Sequence, residues 1–244
     1  MIIDAHVTIS SDSEVNPLLK SMQMARIDSA VLAPSKAETA FNNHQGNSRL
    51  ARICDEHANL KFWAVATPWS GDAGIIEIGR AFDHGAFGIL FDPTVQGFSL
   101  LGTEIKNMLA LISKFINPLI YVHTGTPSNA LPLQLAHLAN GFPSMSFLMG
   151  RSGRTDFRTD AIPAMKLAPN IYADTSHDYP MTGLANLAAS IGTDRMIFSS
   201  DYPYERQDFA RECIERLPFS DYEKSRILSR NVQLRSRNLT TERR

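Results

Sequence analysis

Eight short apolar runs recur along the chain, at residues 1–7, 29–33, 62–67, 87–91, 119–123, 145–149, 170–173 and 196–200. Most of them lack the strict polar alternation of a strand with one wet face. A run that is apolar on both sides must be covered on both sides, which is the condition of a parallel strand packed under crossover helices. The stretches between the runs supply those helices. Residues 47–57, 73–84, 103–115, 129–140, 182–191 and 205–216 repeat their apolar positions at helical spacing, and several open on Ser, Thr, Asp or Asn. Strand and helix therefore alternate from end to end, and eight such units predict an α/β fold, the (β/α)8 TIM barrel. The 244 residues match the usual size of one such barrel, so a single domain over 1–244 is expected.

Several runs end in polar or turn-forming residues: Asp92-Pro93, His123-Thr124-Gly125, Arg151-Ser152-Gly153, Asp174-Thr175-Ser176 and Asp201-Tyr202-Pro203. In a barrel these ends share one rim, the one that carries the active site. Charged residues remote in sequence should thus converge. Composition narrows the partner. Lys and Arg number 24 against 25 Asp and Glu, a net charge of -1, which gives no broad basic field for nucleic acid. No apolar run reaches the length of a membrane span. Cys54 and Cys213 sit in helical patterns without the spacing of a zinc or redox pair. These features predict a cytoplasmic protein with a small-molecule substrate.

His6 ends the first run, His123 the fifth and Asp201 the eighth. Two imidazoles and a carboxylate from three strand ends suit one divalent cation, zinc or manganese, because three protein ligands plus water is the usual catalytic arrangement. A water held there would be acidified toward a nucleophile at neutral pH. Arg151, always charged and able to fork two hydrogen bonds to a carboxylate, is read as an anchor for an acidic substrate or as an ion pair with Asp174 or Asp201. His177, close behind the seventh run, is a candidate acid/base alongside Asp201. Asp174, Trp69 and Tyr202 are candidate substrate contacts at the same rim.

Seven stretches in chain order, at 3–8, 85–89, 118–125, 150–157, 171–176, 194–203 and 227–231, carry a resemblance. Among them are Ile3-Asp4-Ala5-His6-Val7-Thr8, Tyr121-Val122-His123-Thr124-Gly125 and Ser199-Ser200-Asp201-Tyr202-Pro203. Together they resemble the amidohydrolase-related (amidohydrolase 2) family. The resemblance implies a TIM barrel and metal-dependent hydrolysis or non-oxidative decarboxylation, in members that act on amides, lactones and carboxylic acids. Homodimers formed through helices or rim loops are also implied.

The chain departs from the family pattern at the metal motif. Family members open with Asp-x-His-x-His, and Thr8 stands where the second histidine belongs. At the end of the sixth run Arg151 replaces a histidine, and a further reading of its guanidinium is as the occupant of the vacated metal space. The fourth run ends in Leu90 and Phe91 with Asp92 just beyond, so a two-metal centre is not expected. Three readings follow. One is a mononuclear metal enzyme with His6, His123 and Asp201 as ligands, and another is a degenerate barrel that binds a ligand without metal or turnover. The third is metal-free chemistry in which His123 and Asp201 exchange protons and Arg151 stabilises an oxyanion.

Overall fold

The structure, a computed structural model, describes residues 1–126, 128–153, 155–176 and 181–236. Eight strands form one parallel sheet in chain order: β1 (Ile3–Thr8), β2 (Ser29–Ala33), β3 (Leu60–Val65), β4 (Gly88–Phe91), β5 (Leu119–His123), β6 (Ser146–Gly150), β7 (Ile171–Asp174) and β8 (Met196–Ile197). Helices such as Val15–Ala25, Asn43–Glu56, Asp72–Asp83, Thr103–Ile112 and Pro132–Asn140 join successive strands and cover the outside. The (β/α)8 barrel expected from the alternation is the fold. No helix among the described residues is long and apolar enough to cross a membrane.

The strands bury both faces, as their sequence requires. Outward residues including Phe62, Phe91, Val122, Phe147 and Met149 pack under the helices. Inward residues including Trp63, Val65, Leu90, Tyr121, Leu148 and Tyr172 fill the barrel. Two glycines make room for the largest of them. A Cβ on Gly88 would strike the Trp63 ring and the Leu119 carbonyl, and one on Gly150 would strike the Tyr121 ring. Trp63 uses the space to donate its indole N–H to the Ala5 carbonyl at 2.9 Å, across the barrel interior.

Some boundaries differ from the sequence expectation. β3 starts two residues earlier, and β8 stops after two residues rather than running to 200. The cause of the second difference is the seam. Beyond Ile197 the backbone turns its hydrogen bonds to the first strand: Ala5 N–H to the Phe198 carbonyl (3.0 Å), Asp201 N–H to the His6 carbonyl (3.2 Å) and Thr8 N–H to the Tyr202 carbonyl (2.7 Å). The buried Asp4 carboxylate reinforces this closure. It accepts hydrogen bonds from the Ser200 N–H (2.9 Å), the Ser200 hydroxyl, the Gln207 side-chain amide (2.9 Å) and the His6 N–H (3.3 Å). Burial pushes the Asp4 carboxyl up to about 6 in spite of these four donors.

Removing a buried acceptor strands every donor aimed at it. Asp4→Ala is expected to lower unfolding free energy by about 3–5 kcal/mol. Ser200→Ala, which leaves the carboxylate its other donors, should lower it by only about 1–2 kcal/mol. Urea denaturation measures both, and an Asp4→Ala loss below that of Ser200→Ala would contradict the seam's dependence on this carboxylate.

Candidate metal and anion site

A β-bulge aims the first candidate ligand. Pairing of β1 with β2 runs Ile3↔Ser29 and Asp4↔Ala30, then Val7↔Leu32 and Thr8↔Ala33, so three residues advance on β1 against two on β2. Strict alternation from the inward Ile3 would have turned His6 toward the helices. With the extra residue, His6 points inward and stacks on Tyr121, its ring centroid 4.5 Å away and the planes 15° apart. Thr8, two residues on, lines the rim cavity.

His123 leaves β5 on the same inner face, edge-on to His6 with ring centroids 5.0 Å apart. Asp92, just past β4, caps a short helical turn through the Val95 N–H (3.1 Å) and meets His123 Nδ1 at 2.9 Å. Burial alone would raise the Asp92 carboxyl. His123, the Val95 N–H and Arg151 outweigh it and hold the group down to about 2. An ionised carboxylate only accepts, so His123 Nδ1 carries the proton and Nε2 presents a lone pair. Burial holds the His123 imidazole below its ordinary value, helped by Arg151 and His6 and opposed by Asp92, which favours that neutral tautomer. His123 Nε2 and both ring nitrogens of His6 are buried with no hydrogen-bond partner among the described residues.

Asp201 completes the group from the far side of the seam. It is fully buried and adopts a left-handed backbone conformation, φ 58°. Its Oδ1 lies 3.1 Å from His6 Nδ1 and its Oδ2 receives the Arg151 Nε–H at 3.1 Å. One ligand atom from each of His6, His123 and Asp201 lies within 4.8 Å of the other two. Buried imidazole nitrogens without partners, beside a carboxylate, are a donor set that fits a divalent cation. The carboxylate behind His123 is the usual orienting partner of a metal-bound histidine.

Arg151 and Ser152 both take left-handed backbone angles, φ 61° and 43°. Residues other than glycine seldom do so outside sites where the surroundings impose it. The Ser152 hydroxyl is tied to the Asp174 carbonyl. Of the two ion pairs open to Arg151 from the sequence, the structure has Asp201. The guanidinium uses only Nε for it, and its Nη groups have no hydrogen bond among the described residues. The cavity above, about 20 Å³, is lined by Thr8, Lys36, Asp92, His123, Arg151 and Tyr204 among others.

Not every expected contact reaches that cavity. Asp174 is fully buried below it, with Oδ2 accepting from the Tyr121 hydroxyl (2.6 Å) and Oδ1 from the Ser176 N–H (2.6 Å). Its oxygens are taken up by Tyr121 and by the Ser176 N–H. Trp69 is 61% exposed and donates its indole N–H to the Gln96 carbonyl at 3.2 Å, outside the cavity lining. Tyr202 is half-buried against the outer core, and the aromatic at the mouth is Tyr204, two residues on. His177 lies outside the described residues. Sequence reasoning gave no role to Tyr121 or Lys36, and noted Asp92 only as a weak metal donor. An acid-proline pair directly after a strand, a helix-capping signal, was the available clue to its orienting role.

The family model described as Amidohydrolase matches residues 2–231. The chain belongs to the amidohydrolase family. A curated relative, the gamma-resorcylate decarboxylase of Polaromonas sp. (strain JS666 / ATCC BAA-500), is 28% identical over 109 residues, 43% of this chain and 33% of the relative. The match thus spans about a third of that protein's length. Solved amidohydrolase-like barrels superpose more widely. A dihydroxybenzoic acid decarboxylase from Polaromonas sp. JS666, with bound manganese and the inhibitor 2-nitroresorcinol, gives a TM-score of 0.74 at 15% identity over 97% of this chain and 96% of that one. The 5-carboxyvanillate decarboxylase of Sphingomonas paucimobilis gives 0.78 at 12% identity, over 97% and 99%. At these identities the likeness is one of fold.

If the three convergent side chains hold a cation, His123→Ala should abolish stoichiometric manganese binding measured by isothermal titration. Asp92→Asn, which keeps the shape behind His123 and removes the charge, should weaken it about 10- to 100-fold. Full affinity in both variants would place the ion elsewhere.

Proposed function

We propose that this amidohydrolase-family chain is a mononuclear metal enzyme that decarboxylates a small carboxylic acid without redox chemistry. The observation that carries the reading is the set of buried imidazole nitrogens of His6 and His123 without hydrogen bonds among the described residues, gathered beside Asp201, with a guanidinium next to them that pairs with Asp201 through Nε. His6, His123 and Asp201 would hold zinc or manganese, the latter being the metal in the Polaromonas decarboxylase. When bound, such a cation supplies Lewis-acid polarisation of a substrate oxygen.

The chain's own residues do the rest. Arg151 orients the substrate by its carboxylate, the planar fork matching two oxygens. Tyr121, stacked under His6 and hydrogen-bonded to Asp174, fixes the floor against which the ligands are set. Cleavage of the C–C bond leaves its electron pair on carbon, and a proton delivered there gives R–H and CO2. Asp201 Oδ2 is engaged by Arg151, and Oδ1 lies 3.1 Å from His6 Nδ1. Proton delivery is assigned to one of the two acid/base candidates of the rim, Asp201 or His177. Hydrolysis is the other reaction open to the same group of residues.

A second reading has its own support. The cavity of about 20 Å³ has room for about one water or ion, and Arg151 already pairs with a would-be ligand. Both suit a barrel that binds a ligand without turnover. The free thiols of Cys54 and Cys213 agree with a reducing, cytoplasmic setting.

Small carboxylates are expected to raise the melting temperature by several degrees at concentrations far above Kd, because they bind the folded state alone. Arg151→Lys keeps the charge, loses the fork and should cut that shift by more than half. Absence of any shift in manganese-loaded parent protein would overturn Arg151 as an anchor. Release of CO2 from a carboxylate panel, abolished in His123→Ala, separates the enzyme from the ligand-binding barrel.

A further inference from the structure

Lys36 opens the helix Lys36–Ala40 after β2, is exposed, and lines the same cavity as Arg151. Its Nζ lies 6.0 Å from the centroid of the Tyr204 ring, and the Arg151 Cζ lies 5.9 Å from that centroid. The two cations are therefore no more than about 12 Å apart, the sum of those distances, with one half-exposed aromatic ring serving both.

Glu38, Asp92 and Asp201, the acids that flank Lys36 and Arg151 among the described residues, are committed to other partners. Glu38, on the same short helix, gives Oε1 to Arg49 Nε and Oε2 to Arg49 Nη2, both at 2.7 Å, with the Ser35 N–H also on Oε2. Asp92 is engaged by His123 and the Val95 N–H, and Asp201 by Arg151. Lys36 forms no ion pair among the described residues. Among the described residues the mouth thus presents two separate positive groups, the outer of which has no ion-pair partner. A ligand that meets both must carry two negative groups, and the Tyr204 ring that both cations approach suits a flat or apolar spacer.

We propose that Lys36 is a specificity-determining residue that pairs with a second anionic group on the substrate, so that the site prefers dicarboxylic acids to monocarboxylic ones. This inference rests on the reading of Arg151 as the anchor of the first carboxylate. Because Lys36 is solvent-exposed, its pairing contributes a modest increment that weakens with salt.

Isothermal titration with benzoate and isophthalate tests it. The parent should bind isophthalate about three- to fivefold more tightly than benzoate. The preference should shrink at roughly 0.5 M salt. Lys36→Met should bring the ratio of affinities to about one, and Lys36→Arg should restore it. A ratio of one in the parent, or a ratio unchanged in Lys36→Met, would overturn the role of Lys36 while leaving the Arg151 anchor standing. If neither acid binds the parent, the anchor fails and the role of Lys36 falls with it.

Discussion

The seam between the first and last strands is the constraint on which the site depends. Seven of the eight strand boundaries are closed by ordinary parallel ladders, but β8 is two residues long and leaves the eighth to a handful of backbone bonds and the buried Asp4 carboxylate. Asp4 reaches from β1 to Ser200 and Gln207, which fixes the segment that ends in Asp201. It also receives the His6 N–H, next to the bulge that turns the His6 ring inward. A single carboxylate thereby holds in place two of the three candidate ligands, brought together from positions 195 residues apart in sequence.

Charge is distributed over the rim so that each acid has a defined task. Asp92 sets the tautomer of His123, Asp174 accepts from the Tyr121 hydroxyl under the floor, and Asp201 divides its oxygens between Arg151 and His6. Arg151 enters by Nε alone. That detail reconciles two roles that looked exclusive from the sequence, because the same guanidinium stays on Asp201 while its outer donors face the cavity. A fixed cation beside a prospective metal site opposes the ion electrostatically. The Asp92 carboxyl, held ionised beside His123, and the Asp201 side chain paired with Arg151 offset that field. Thr8 contributes a hydroxyl at the cavity wall where an imidazole would have added a fourth ligand.

The barrel was legible in the sequence because its determinants are local. Apolar runs, helical periodicity and capping residues each report on one element, and eight repeats of the same unit leave few alternatives. The convergence of His6, His123 and Asp201 followed from the rim rule alone. The finer arrangement did not, since it depends on register. Nothing in Asp4-Ala5-His6 announces a bulge, and without the bulge His6 faces the wrong way. Tyr121 reads as one more apolar strand residue until Gly150, on the neighbouring strand, is seen to clear space for its ring. Trp69 and Tyr202 were expected at the mouth from their nearness to strand ends. Loop geometry sends Trp69 to solvent and Tyr202 to the outer core, while Tyr204 lines the cavity.

The central claim is that three side chains gathered by the seam form one cation site with Arg151 as its neighbour and not its occupant. Anomalous diffraction from crystals grown with manganese tests this directly. One peak is expected, within about 2.0–2.3 Å of a nitrogen of His6, of His123 Nε2 and of an Asp201 oxygen, with Arg151 Nε still on Asp201 Oδ2. A guanidinium in that position with no peak, or a peak bounded by other residues, would contradict it.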